Sequence, residues 1–154
     1  AYPPGLLNYW KSSFLAELSD EAIDTMVEEF EGCPSPRSAL VLRHFRGAVA
    51  DVPVSATAFP HREGGYSFAA TSVWSDPGAT DENVSWTQDT FAALTPLLAR
   101  GRWVSYLDQD DAGDEPVRSA FGPNYERLAQ IKAVYDPTNF FHLNVNIKPT
   151  KAGG

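Results

Sequence analysis

Two side-chain amides, Asn144 and Asn146, alternate with Leu143, Val145 and Ile147 near the end of the chain. A primary amide offers two N–H donors and one carbonyl acceptor. Chain ends ordinarily fray, so polar and apolar residues in strict alternation here point to something specific for the amides to face. Elsewhere the vocabulary of site chemistry is thin. His44, His61 and His142 form neither an i,i+4 pair nor a Cys/His cluster, and Cys33 is a lone cysteine, so neither a metal site nor an intrachain disulfide is expected. Asp108, Asp110, Asp111 and Asp114 lack the glycine and terminal Glu offsets of a calcium loop, and read as a solvated acidic loop. Ser72, Ser85 and Ser105 sit in no nucleophile-elbow pattern.

The elements that must position these groups follow from local signals. Residues 9–15, YWKSSFL, read as a strand. Ser19 is the expected N-cap of a helix with Asp20 and Glu21 in its first turn, where the helix dipole favours acids. Ile23, Met26, Val27 and Phe30 repeat at helical spacing as one apolar face, and Gly32 stops the helix. Residues 39–45 read as a buried strand. The stretch from Val49 to Phe59 reads as extended, with Pro53 marking an edge or bulge. Residues 66–74 give another strand, whose small central residues leave room for a neighbouring group. A helix is expected from about Glu82 to Ala99, disturbed by Pro96, with Val84, Phe91, Leu94 and Leu98 on one face. Residues 102–107 read as a short strand. The last helix carries Tyr125, Leu128, Ile131 and Tyr135 as its stripe and stops at Asp136-Pro137. No strand–helix unit contains a glycine-rich phosphate loop. The expected class is α+β: an antiparallel sheet with helices on one face, followed by a C-terminal helix and an extended tail.

Composition sets outer limits. The chain has 154 residues, 43% hydrophobic and 21% charged, enough for a globular core. A formal net charge of -8 argues against nucleic acid or an anionic membrane as partner, because phosphate binding needs clustered Lys and Arg. No apolar run approaches 18 residues. The first residues, AYPPGLLNYW, do not resemble a signal peptide.

Four blocks, in order, carry a family resemblance. Tyr9-Trp10-Lys11-Ser12 is similar to a strand of a substrate domain. Ala58-Phe59-Pro60-His61-Arg62 matches a T-x-F-P-H-R turn, with Trp74 ending the strand after it. Arg102 to Asp108, RWVSYLD, is similar to a Y-x-N-Y-x-D strand. The segment NYERLAQIKAVYDPTNFFHLNVNIKP from Asn124 matches the signature N-Y-x-R-L-x-x-I-K-x-x-Y-D-P-x-N-x-F followed by N-x-N-I-x-P. Together these resemble the berberine-bridge-enzyme-like flavoproteins.

The resemblance implies a two-domain enzyme in which a flavin domain holds FAD and a substrate domain covers its ring. It assigns residues 1–122 to the C-terminal part of the substrate domain, and 123–154 to a helix and tail that pack on the flavin domain. It implies an FAD-dependent oxidase transferring hydride from an alcohol, sugar or natural product to flavin N5 and then to dioxygen. The second tyrosine of Y-x-N-Y corresponds to Tyr106, which the resemblance makes a general base; a phenol of pKa about 10 needs positive charge or hydrogen bonds to serve so. Asn144 and Asn146 match the two tail asparagines that run beside the flavin ring. Trp103 and Ser105 depart from the motif, and Ala69 or Ala70 stands where the family carries Gln or Glu, which makes the expected pocket more apolar. His61 and Arg62 are expected to fix a turn rather than touch substrate, and Lys11 either faces the pocket or reaches solvent. The expected partners are a flavin domain or partner chain and a small-molecule substrate, with a homodimer as a further possibility. The alternative is a non-catalytic module of the same fold that binds a small molecule or protein.

The sequence carries ring-edge amides and no pyrophosphate loop. Purified 1–154 mixed with FAD is therefore expected to lose the cofactor on gel filtration; stoichiometric retention would show that the cofactor is held by other residues of this chain.

Overall fold

The computed structural model describes residues 4–99, 101–107, 111 and 113–150. The chain divides into two compact units, one formed by 1–45 with 64–100 and the other by 46–63 with 101–154.

The first unit is a four-stranded antiparallel sheet with two helices. Strand β1 (Leu7–Leu15) runs into helix α1 (Asp20–Glu31), then β2 (Ala39–His44), β3 (Tyr66–Trp74), α2 (Thr80–Leu94) and a two-residue β4 (Leu98–Ala99). The sheet order is β2-β3-β1-β4. The register pairs Ser13 with Phe68 and Leu15 with Tyr66 on β1–β3, and Leu40 with Ala70 on β2–β3. Because side chains alternate across a strand, Leu15, Phe68 and Ala70 share one face. There they meet Ala22 and Met26 of α1 and Leu94 of α2, the core of this unit. Ala69 lies on the opposite face beside Ser12, its cross-strand partner.

Local chemistry explains the helices. Ser19 caps α1 as expected: its Oγ accepts the Ala22 N–H at 3.2 Å, and the far end closes with the Gly32 N–H on the Glu29 carbonyl at 3.3 Å and the Cys33 N–H on that of Phe30 at 3.1 Å. Helix α2 keeps part of the expected apolar face, with Leu94 buried in that core and Phe91, with Leu98 beyond the helix end, packed against it, but it is more polar than expected. Its buried side is Asn83, Trp86, Thr87, Thr90 and Leu94. Ser72 of β3 donates to the Asn83 carbonyl at 3.0 Å and lies 2.6 Å from the Thr87 hydroxyl, while Trp86 Nε1 donates to the Glu29 carbonyl at 2.8 Å. That last bond gives a carbonyl at the end of α1 a second donor besides the Gly32 N–H, and ties α2 to α1.

Several expectations are corrected. The α1 stripe is apolar, yet only Met26 among its four residues is buried. Ile23, Val27 and Phe30 line an open apolar groove with Leu40 and Leu42 of β2. Strand β2 is an edge rather than a buried strand, with Leu42, Arg43 and His44 exposed, because β3 flanks it on one side only in the described sheet. Helix α2 ends at Leu94; Pro96 sits in a 3-10 turn (Thr95–Leu97) and Leu98–Ala99 then pairs with β1.

The second unit contains no strand among its described residues. The stretch expected to be extended forms 3-10 turns at Gly47–Val49 and Val54–Ala56. Residues 102–107, expected as a strand, hold a 3-10 turn at Val104–Tyr106. Of the acidic loop, Asp108 and Asp110 lie outside the described residues, while Asp114 opens a helix the sequence reading did not anticipate, α3 (Asp114–Phe121). Helix α4 (Tyr125–Tyr135) follows after the turn Gly122–Asn124. Its buried side is Tyr125 and Ala129, which with Val117 form a small core flanked by Leu107, Phe121, Val145 and Ile147. Ile131 and Tyr135, expected in the stripe, are exposed.

Gly65 carries the turn into β3. Its φ is +89°, and a Cβ there would run into the Leu15 carbonyl oxygen and come within 2.8 Å of that of Ala16. Gly47, at φ +63°, has open space around it. Gly65→Ala is expected to cost about 3 kcal/mol, conformational penalty plus steric overlap, and Gly47→Ala about 1 kcal/mol. Urea midpoints of the two variants check this; equal losses would mean that the close approach at Gly65 is immaterial.

Candidate functional site

Tyr106 lies in the second unit on a turn rather than a strand, and the turn has a definite foundation. Its N–H donates to the Trp103 carbonyl at 2.8 Å. The Trp103 ring meets the Tyr106 ring edge-on at 5.7 Å between centroids, and the Phe59 ring at 5.9 Å. Phe59 in turn meets the His61 ring at 5.4 Å. The F-P-H-R turn is therefore the base on which the aromatic turn of Tyr106 rests.

Polar groups fix that base. His61 Nε2 lies 2.8 Å from the Arg102 carbonyl oxygen and 3.1 Å from that of Ala120. Both partners are acceptors, so Nε2 carries the proton. Burial lowers the His61 pKa from its ordinary 6.5 against the pull of these carbonyls and of Glu63, so the fold favours the neutral ring. A group with a depressed imidazolium pKa contributes its full stability above 6.5 and loses it as pH falls below that value. Arg62 donates to the Val49 carbonyl at 3.0 Å, the Thr57 hydroxyl at 2.8 Å and the Phe59 carbonyl at 3.3 Å, and stacks on the Phe59 ring. The turn-fixing role expected for His61 and Arg62 is what the geometry displays.

The tail is organised by two residues the sequence reading passed over. Asp136 accepts the N–H groups of Phe140 at 2.7 Å and Phe141 at 3.1 Å. Lys132, one turn earlier, donates to the Phe141 carbonyl at 2.6 Å and to Asn146 Oδ1 at 3.0 Å, with its Nζ 3.5 Å from the Asp136 carboxylate. Their i,i+4 spacing is the signal that marks such a pair. Desolvation raises the Asp136 pKa, but the two backbone donors and Lys132 outweigh it and hold the value below the ordinary 3.8.

Asn146 is thus oriented: Lys132 occupies its amide oxygen, which turns its NH₂ group, two donors, toward whatever lies opposite. Asn144 is exposed at φ 59°, a left-handed conformation that asparagine tolerates better than most residues. Val145 and Ile147, beside Asn146, pack on the same small core as Leu107, the neighbour of Tyr106. The structure so brings the Tyr106 turn and the Asn146 tail to one apolar cluster. Lys11 and Ala69 belong to the first unit, where the Lys11 Nζ lies 5.6 Å from the centre of the Tyr9 ring. The carbonyl oxygens on the edge of a flavin ring call for N–H donors, and Asn146, with Asn144 as an exposed second amide, is the donor chemistry that the tail would offer such a ring. Among the described residues no group of His, Cys, Asp and Glu is placed to hold a metal, and no helix is long and apolar enough to cross a membrane.

Asp136→Asn is expected to loosen the tail and speed amide exchange at Phe140 and Phe141 about tenfold. The native chain should lose the same protection as pH falls below 3.8, since a depressed carboxyl stabilises only while ionised. Nuclear magnetic resonance exchange rates, corrected for intrinsic chemistry, measure both; unchanged protection in the variant would remove Asp136 as the anchor.

Comparison with known proteins gives this arrangement a family. Residues 105–148 match the family described as "Berberine and berberine like". An FAD-linked oxidoreductase of Dictyostelium discoideum is 30% identical over 149 residues, covering 96% of this chain and 32% of that protein. Berberine bridge enzyme-like 17 of Arabidopsis thaliana is 31% identical over 123 residues, 70% of this chain and 23% of that protein. Among solved structures, berberine bridge enzyme from Eschscholzia californica shares the fold with a TM-score of 0.86 at 23% identity, over 97% of this chain and 34% of that one. The chain spans a quarter to a third of the length of these relatives. With family motif, relatives and fold in agreement, the chain belongs to the berberine-bridge-enzyme-like FAD-linked oxidoreductases.

Proposed function

We propose that this chain is the C-terminal portion of an FAD-dependent oxidase acting on an alcohol, a sugar or a hydroxylated natural product. The observation that carries the reading is the family match over 105–148, which contains both Tyr106 and the two amides. In this reading residues 1–122 complete a substrate domain, and 123–154 dock on a flavin domain that holds most of the cofactor. Support for the docking comes from the exposure of Val134, Tyr135, Phe140, Phe141 and Leu143, each between 74% and 84% accessible. So dense an apolar surface is rare on a monomer. A flavin domain covers it in this proposal, whether in the same chain or in a partner; a second copy of this chain is the other occupant that sedimentation would detect.

The chemistry supplied by bound FAD is acceptance of a hydride and its passage to dioxygen. The chain's own residues do the rest. In its phenolate form Tyr106 takes the substrate hydroxyl proton, becoming the neutral phenol, as the C–H bond breaks. Trp103 packs edge-on against the Tyr106 ring and is itself backed by Phe59. Asn146, its oxygen engaged by Lys132, and Asn144 present amides to the ring edge.

In the complete protein, Tyr106→Phe removes one oxygen and leaves the ring contacts. Loss of a general base is expected to slow anaerobic flavin reduction about 10²–10⁴-fold, with flavin content unchanged and substrate affinity little altered. Stopped-flow absorbance reads the step directly. A reduction rate equal to that of the native enzyme would remove Tyr106 from the mechanism.

A further inference from the structure

We propose that His61 and Gly101 form a seat that positions the Trp103–Tyr106 turn, so that His61 is a positioning residue for the reaction although it touches no substrate. The proposal deepens the reading of Tyr106 as base and rests on it for its kinetic arm.

The argument begins with backbone. The Arg102 carbonyl stands immediately before the turn, and the Ala120 carbonyl lies in the last turn of α3, where helix geometry leaves carbonyls without intrahelical partners. One imidazole N–H serves both, at 2.8 and 3.1 Å. That proton therefore joins α3 to the start of the Tyr106 turn. Gly101 makes the joint possible. Its φ is +128°, and a Cβ there would lie 2.6 Å from His61 Cε1 and 2.9 Å from Nδ1. The ring fills the space a side chain at 101 would need. From His61 the contacts run through Phe59 and Trp103 to the Tyr106 ring. Displacing the imidazole releases the Arg102 carbonyl and the aromatic stack together, which tilts the Tyr106 phenol. A catalytic group moved by about 1 Å can lose on the order of 10²-fold in rate.

The test uses the complete FAD-loaded protein with 3-fluorotyrosine installed at position 106. Three variants are compared: His61→Leu, which removes the donor; His61→Gln, which can return an N–H near the place of Nε2; and Gly101→Ala, which pushes the ring away from the other side. Circular dichroism and flavin content establish that each remains folded. His61→Leu and Gly101→Ala are expected to shift and broaden the fluorine resonance at 106 and to slow anaerobic flavin reduction about 10- to 100-fold, with KM changed less than about threefold. His61→Gln should restore most of both. A fluorine signal identical to the native one in both disrupting variants overturns the proposal. So does an altered signal with a native reduction rate, provided Tyr106→Phe itself slows the reaction. If Tyr106→Phe does not slow it, the reading of Tyr106 as base fails instead, and the fluorine signal alone decides whether the seat exists. Should either disrupting variant fail to fold, the other carries the fluorine test.

Discussion

Backbone carbonyls without ladder partners are the constraint on which the second unit depends. Its described residues include no strand, so helices and short turns supply only part of its hydrogen bonding, and a buried peptide group left unsatisfied is costly. Side chains do the work that a sheet does elsewhere. Asn124 donates to the Val54 and Thr57 carbonyls at 2.8 and 3.0 Å, Arg127 reaches the Ser55 carbonyl at 3.1 Å, and Arg62 and His61 take four more. The irregular run 46–63 is held by its own Arg62 and by Asn124 and Arg127, whose forked and planar donors bond its carbonyls. The signature residues that look decorative in sequence, Asn124 and Arg127 of N-Y-x-R, are the grips.

The first unit solves the same problem by the ordinary route and is polar where a core is usually apolar. Its ladders satisfy β1 and β3, and what remains is handled by short hydroxyls. Ser35 donates to the Val73 carbonyl at 2.6 Å and Ser38 accepts the Val73 N–H at 3.1 Å. Under α2 the Ser72–Thr87–Asn83 cluster adds a polar patch beside the buried Leu94. Small side chains on both layers let helix and strand approach closely, and the Ser72, Thr87 and Ser35 hydroxyls each reach a carbonyl, while the buried Thr90 hydroxyl and the Asn83 amide oxygen make no hydrogen bond among the described residues.

What was legible in the sequence followed locality. The cap at Ser19, the stop at Gly32, strands β1 and β3, and the helix ending at Asp136 are written in residues within a few positions of one another, and the structure reproduces them. The α+β class and the family follow from blocks whose order is itself a long-range signal. What escaped depends on distant partners. The aromatic-rich run at 102–107 suggests a strand, but it forms a turn at Val104–Tyr106, preceded by an Arg102 carbonyl that is bonded by His61, forty-one residues away. On α2 apolar periodicity finds Leu94 and Phe91, which pack on the core, but not Asn83, Thr87 and Thr90, whose burial is set by what β3 presents. Helix α3 is eight residues long and begins in an acidic run, too short for periodicity to announce. Lys132 and Asp136 were within reach of the sequence, since their spacing is local, yet their role emerges only when the tail folds back over them.

The pairing of Gly101 with His61 imposes an asymmetric substitution rule on descendants of this sequence. Position 61 can drift, since a smaller or differently shaped side chain leaves a void and an unsatisfied carbonyl, defects that neighbours can mend one at a time. Position 101 has no such latitude. Even were the imidazole gone and the space vacant, φ of +128° would still strain any L-residue with a side chain. Change must therefore enter through the histidine first, and the glycine outlasts the contact that now surrounds it. The two sites are linked in one direction only: the ring needs the glycine, and the glycine does not need the ring.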